Sequence, residues 1–372
     1  MAKRIKFYFK LRGNQLYRII FALLLIIYYN RAGITFNLID LKMNPKSLLL
    51  KLTCFLSILF ILQSCGSDKP GTYKNDEIRS ANREDFHALN DKLFVGLTAN
   101  NAKLLEGIMS QEFIADNAKL RLVELMSNQI KLSPYTLLDE YYAINDKRGK
   151  HVINEKNEGV NNHTITYDAV VPEMYLAFFV PKCGQDKYMI SAQYCKLDYG
   201  WKLTGLELSP YTQNGQTAPE LFKQAKADYA KNYLVNAVDF GTEANACLNP
   251  FSGWEYPIQA DMGEFEKKAF TEASKKYKFP IILKQVTGQP RIFRISHEKK
   301  PDGTFPMIYY LTTVKLADTN AIKQENMKIQ KVIGQVIPGI DKEKKYLLFA
   351  AFNELPRFDI SVDRYEITDR LR

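Results

Sequence analysis

Apolar and polar positions change their period several times along this 372-residue chain. Two apolar runs, Ile19–Tyr29 and Leu52–Leu62, come first, each eleven residues long. From residue 81 the spacing turns helical: Phe86, Leu89, Leu93, Phe94 and Leu97 share one face and predict a helix over 81–98. Asn100-Asn101 breaks it, and Lys103 to Met109 reads as a short second helix. Asp116 is placed to cap a third, with Leu120, Val123, Leu125, Met126 and Ile130 inside and Ser133-Pro134 at its end. At Tyr135 the period becomes that of a strand. Strands are predicted over 135–144, 163–171, 173–181, 187–197 and 201–208, with the polar stretch 145–162 as a long hairpin or lid. Asp198-Tyr199-Gly200 is a tight turn with glycine where φ must be positive.

Residues 210–217 are polar and contain Pro and Gly, and they read as a linker. Thr217-Ala218-Pro219-Glu220 is a capping box, followed by a helix with Phe222, Ala225, Tyr229 and Tyr233 in a stripe. Residues 239–261 read as irregular. A second helix carries Phe265, Ala269, Ala273 and Tyr277 and stops at Pro280. Strands are predicted at 281–287, 291–297 and 306–316, a helix from Asp318 or Thr319 through Ile337, and final strands at 345–352 and 358–367. The fold class is therefore α+β. The expected domains are 81–209 and 218–372.

The formal net charge of +10 would suggest an anionic partner. Residues 1–64, however, hold ten of the 51 Lys and Arg and only one of the 41 acids, so the remainder is close to neutral. No nucleic-acid partner is expected. Beyond Cys54 and Cys65 three cysteines remain, Cys183, Cys195 and Cys247, enough for one disulfide at most. Cys183 sits at a hairpin turn and Cys195 far along the returning strand, so these two should not face each other, while Cys247 is left open as a partner for either.

Leu62-Gln63-Ser64-Cys65-Gly66 resembles a bacterial lipobox: Leu at −3, a small residue at −1 and glycine at +1, closing an apolar run. Eleven residues are few for a bilayer-spanning helix, which needs about 20, and fit a signal-peptide h-region of roughly 7–15. The resemblance implies lipid attachment at Cys65 and tethering to a membrane of the cell envelope, on its periplasmic face or the cell surface. Residues 43–64 are then the signal peptide, 65–80 the lipidated tether, and 1–42 an upstream extension with translation starting at Met43. A transmembrane segment at 17–36 is the rival reading. The short tether and Lys/Asn/Tyr-rich body resemble lipoproteins of Bacteroidota.

Residues 80–208 resemble the NTF2-like family. The carriers are the gap between the first helices, Leu97-Thr98-Ala99-Asn100-Asn101-Ala102-Lys103-Leu104-Leu105 followed by Phe113, and a closing strand that opens Gly200-Trp201. The resemblance implies a curved sheet wrapped on a long helix around a cone-shaped pocket, in which catalytic members of the family carry acids, His or Tyr.

Chemistry-bearing residues are sparse. The four histidines, His87, His151, His163 and His297, fall in no metal or catalytic motif. His87 flanks the apolar stripe of the first helix and reads as a rim residue; His151 reads as solvated. Asp139 and Glu140 are adjacent on a strand, so they face opposite sides and cannot work as a pair on one substrate; solvent is expected for both. Tyr141, Tyr142, Tyr167, Tyr175, Tyr188 and Tyr194 read as core. No Gly-x-Ser-x-Gly elbow, Walker loop or Rossmann fingerprint occurs. No catalytic residue, cofactor or metal is assigned. The expected function is non-catalytic binding of a small ligand or protein partner. The alternatives are acid/base chemistry on a small apolar substrate in the cone, and an accessory subunit of an envelope complex with an exposed apolar patch on the second half.

Overall fold

The computed structural model describes residues 69–155, 159–300, 303–357 and 361–371. The apolar runs, Met43 and Cys65, where lipid attachment was expected, lie outside the described residues, as does the side chain of Leu120.

β1 (Gly71–Lys74) leads into α1 (Ser80–Thr98), α2 (Ala102–Glu106), α3 (Gln111–Ala115) and α4 (Asn117–Leu132). α1 follows the predicted stripe, with Phe86, Leu93 and Leu97 buried. Asn101 caps α2 through Lys103 N. Gly96 is required between these helices, because a Cβ there would lie 2.2 Å from Leu105 Cδ2. Asp116 Oδ1 accepts from Ala118 N at 2.9 Å, the expected cap of α4. Leu125 was expected inside and is 59% exposed.

Five strands, β2 (Tyr135–Ile144), β4 (His163–Ala169), β5 (Glu173–Pro181), β6 (Lys187–Leu197) and β7 (Gly200–Thr212), match the predicted ones to within a few residues, and Gly200 has φ +102°. The main sheet runs β1-β2-β5-β6-β7, antiparallel throughout. Both of its faces are covered. Tyr175, Ala177 and Phe179 of β5 meet the core under α1–α4, whereas Met174, Leu176, Phe178 and Val180 enter a second core on the opposite face. Side chains alternate across a strand, so a strand buried on both sides becomes a continuous apolar run, which is what 174–180 is.

That second core takes Leu221, Phe222 and Ala225 from α5 (Ala218–Ala230), Phe240 and Ala244 from α6 (Leu234–Ala246), and Phe251 and Trp254 from the loop and strand beyond. It spans the division expected at 210–217. Pro210 to Thr212 finish β7, and Gln213 pairs with Gln216 across a turn before Thr217 caps α5 in the expected box. Residues 69–372 form one contact unit that carries all four cores.

Two expectations are corrected here. The polar stretch 145–162 contains a strand, β3 (Gly149–Glu155), in a small sheet ordered β3-β4-β8, with β8 (Trp254–Glu255) arriving from the second half. Residues 239–246 are helical, as the body of α6. Leu234, Asn236, Ala237, Asp239, Phe240, Gly241, Glu243 and Ala244 are all buried, so this helix buries polar and apolar residues together and shows no amphipathic stripe.

α7 (Gln259–Lys276) precedes the second sheet, ordered β13-β12-β11-β10-β9, in which β9 (Ile281–Ile282) covers only the start of the strand expected over 281–287. β10 (Arg291–Lys300) and β11 (Gly303–Leu311) are antiparallel. α8 (Thr319–Val336), capped by Asp318 as predicted, connects β11 to the parallel β12 (Tyr346–Phe352). β13 (Tyr365–Arg370) begins later than the expected 358–367, of which 358–360 lie outside the described residues. Ile322, Ile329 and Ile333 of α8 pack on one face of this sheet. Among the described residues no helix is long and apolar enough to cross a membrane.

Candidate functional site

Two polar clusters are built from residues far apart in the chain. The first surrounds Glu140, expected in solvent and fully buried. The register of β2 shifts between Leu137 and Asp139, and Glu140 then faces α1. Arg83 Nε donates to Oε1 at 2.5 Å, and Tyr175 OH donates to Oε2 at 2.7 Å. His87 Nε2 lies 3.1 Å from both oxygens, so this nitrogen carries the proton. Asn90 Nδ2 donates to the Tyr175 hydroxyl at 2.7 Å. Burial, reinforced by Glu140, holds the Tyr175 phenol well above its ordinary pKa, so it stays a donor. His87 keeps 44% of its side chain exposed, the expected rim position. Phe86 stacks on Tyr175 at 4.2 Å and fills the space beside the carboxylate. Both carboxylate oxygens are thus occupied and the neighbouring volume is packed. This is a structural clasp between α1 and the sheet.

The second cluster lies at the groove where α6, α7 and β10 meet. Asp239, on α6, is 6% exposed. His297 Nε2, from β10, stands 2.8 Å from Asp239 Oδ2. At that distance the two groups form an ion pair when the imidazole is protonated. Glu243 follows one turn along the same helix face and accepts from Asn214 Nδ2 at 3.1 Å, while its Oε1 is buried without a donor. Burial pushes the Glu243 carboxyl pKa up, with Lys344 opposing and Asp239 reinforcing. Burial also acts to lower the His297 pKa, but Asp239 and then Glu243 outweigh it and raise it.

A cavity of about 590 Å³ opens over this pair. Val235 and Val238 of α6, Phe270 and Ala273 of α7, Tyr277, Phe279 and Ile295 form its apolar walls, with Ser274, Lys278, Asp239 and His297 as its polar groups. This volume and composition are those of small-molecule sites, which run to roughly 300–1,000 Å³. Sequence reading missed the site, because Asp239 and Glu243 fell in a stretch read as irregular and His297 stood alone in its motif context. The one available signal was their i, i+4 spacing.

His151 is partly exposed; its Nε2 meets Lys147 O at 3.0 Å and its ring stacks on Tyr167. His163 stacks on Trp254 at 3.7 Å. Cys183 is exposed, Cys195 and Cys247 are buried, and all three are free thiols. Burial pushes the Cys247 thiol up to about 12, which keeps it protonated and inert. Among the described residues no group of three or more His, Cys, Asp or Glu is arranged to hold a metal ion.

No protein-family model, curated protein or solved structure matches this chain.

Proposed function

We propose that this is a lipid-anchored protein of the cell envelope, tethered through Cys65, that binds a small apolar-bodied ligand without transforming it, in the groove of α6, α7 and β10. The observation that carries the reading is the cavity of about 590 Å³ with apolar walls over the buried Asp239–His297 pair. Residues 81–209 are, in the same proposal, an NTF2-like cone whose interior is filled. Phe86, Tyr175 and Tyr194, each 0–1% exposed, occupy the space a ligand would need, which favours a site elsewhere. Acid/base chemistry at Glu140 is disfavoured because its oxygens are already bonded. The partner-subunit reading draws support from the exposed Phe270, Phe279 and Ile282 on the second half.

The neutral fluorophore N-phenyl-1-naphthylamine tests the groove. It should brighten on binding residues 69–372, and Ala273→Trp, which fills the cavity, should abolish the signal while leaving cooperative thermal unfolding intact. No brightening, or brightening unchanged by A273W, would overturn the reading. Incorporation of labelled palmitate into the full chain, lost in Cys65→Ala, tests the anchor.

A further inference from the structure

We propose that the second sheet carries a binding site for an aromatic carboxylate on the face turned away from α8. Arg294 holds the carboxylate, and the ring lies against Phe352, Leu355 and Val362. This site is separate from the groove of α6, α7 and β10 and stands independently of it.

A cavity of about 500 Å³ opens on this face, walled by the sheet and by Leu355, Pro356 and Val362, which follow β12 in the chain. A register fault in β10 builds its floor. Ile292 pairs with Tyr310 but Arg294 with Tyr309, so Phe293 is an extra residue in the strand. Strict alternation would send Arg294 to the same side as Ile292. Instead Ile292 and Ile295 join the core under α8, while Phe293 and Arg294, neighbours in the chain, both line the cavity on the other face. Bulges of this kind re-aim side chains and concentrate beside functional sites.

The carboxylate follows from the arginines. The Arg294 guanidinium carbon lies 5.4 Å from the centre of the Tyr309 ring, its partner across the strand pair. Stacking fixes the plane of the guanidinium and leaves the N–H groups at its edge, which have no hydrogen-bond or ion-pair partner among the described residues. Arg364, on the opposite wall, donates through Nε to Glu366 Oε1 at 2.6 Å and keeps its terminal N–H groups. Among the described residues these two arginines and no carboxylate line the cavity. Glu354 and Asp363, exposed on the same segment, lie outside it. A planar fork of donors matches the two oxygens of a carboxylate, and an amine would meet two like charges.

The ring follows from the rest of the wall. Phe293 meets Phe352 edge to face at 5.5 Å, and Tyr309 lies 6.1 Å from Phe352, so three rings form one cluster. Leu355 keeps 54% of its surface exposed at the mouth. A ligand ring gains from packing on aromatic neighbours beyond the area it buries, which a flexible alkyl chain does not. The volume lies within the roughly 300–1,000 Å³ of small-molecule sites.

Calorimetric titration of the full chain with 2-naphthoate and its uncharged counterpart 2-naphthalenemethanol tests the site. 2-Naphthoate should bind about tenfold or more tighter. Arg294→Gln should erase most of that difference, and Leu355→Glu, which places an anion in the wall, should weaken 2-naphthoate far more than the alcohol. Both changes fall on exposed side chains, so thermal unfolding should stay cooperative. Ala273→Trp, which fills the separate groove, should leave both affinities unchanged. No preference for the carboxylate, a preference that survives Arg294→Gln, or binding lost in Ala273→Trp overturns the proposal. Inorganic phosphate binding as tightly as 2-naphthoate overturns the aromatic part of it.

Discussion

Asp139 and Glu140 are neighbours in the chain and face opposite sides of one sheet. Glu140 is clasped by Arg83, His87 and Tyr175 beneath α1. Asp139 joins Lys74 at 3.3 Å, with Glu155 on the same lysine at 2.7 Å. Asn75 holds the two apart, accepting from Glu140 N at 2.9 Å and donating to Asp139 Oδ1 at 2.8 Å. The burial difference sets the energetics. Glu140→Ala should lower the unfolding free energy by about 3 kcal/mol, since it takes from Arg83, His87 and Tyr175 the buried carboxylate they share. Asp139→Ala, at a partly exposed ion pair, should cost under about 1 kcal/mol. Urea denaturation of the two variants measures the contrast, and equal costs would refute the clasp.

The His297 pair makes stability pH-dependent. A histidine that holds its proton more tightly in the folded state than unfolded contributes stability fully below pH about 6.5. That contribution is lost as pH rises through the folded value. Glu243, also raised, pushes in the same direction but starts from the carboxylate range. His163, whose pKa burial lowers, acts in the opposite direction in the same window, so the His297 part is read by difference: His297→Gln should lose stability relative to wild type at pH 6 and lose less at pH 8. A His297→Gln cost that is the same at pH 6 and pH 8 would contradict the Asp239–His297 pairing.

Gly253 marks where the second half meets the small sheet. Thr166 N donates to Gly253 O at 2.8 Å, and a Cβ on Gly253 would sit 1.8 Å from Thr166 O. Gly253→Ala must push the two backbones apart and should cost about 1–3 kcal/mol, as overpacking does. Differential scanning calorimetry should show one transition at lower temperature, because the two halves share a core. Two separated transitions would show that they melt independently.

Asn214 knots three elements together. It has φ +50°, donates to Glu243 on α6 and accepts from Thr304 N on β11 at 2.9 Å. Asn214→Ala should cost about 2 kcal/mol, from lost hydrogen bonds and an unfavourable left-handed backbone. Asn214→Gly loses the same bonds but tolerates the backbone, so its chemical-denaturation midpoint should lie between alanine and wild type. Glycine no better than alanine would mean that backbone strain plays no part.

By itself the sequence determined the local elements and the α+β class. α1, β2, β5, β6, α5 and α8 each bury a regular set of positions or carry a cap in the chain itself, as Thr217 and Asp318 do. Those signals span one or two turns and need no partner. The resemblance of Leu62-Gln63-Ser64-Cys65 to a lipobox, on which the proposed anchor rests, is equally local. Tertiary structure alone decided that α6 is a helix, that Glu140 is buried and that Asp239 meets His297. α6 has no stripe because the sheet, the second core and the groove surround it. Glu140 takes its counterion Arg83 and its neighbour His87 from 57 and 53 residues earlier in the chain. A charge is read as solvated until the chain supplies its counterion from elsewhere, and the folded contact is the first place where that counterion becomes visible.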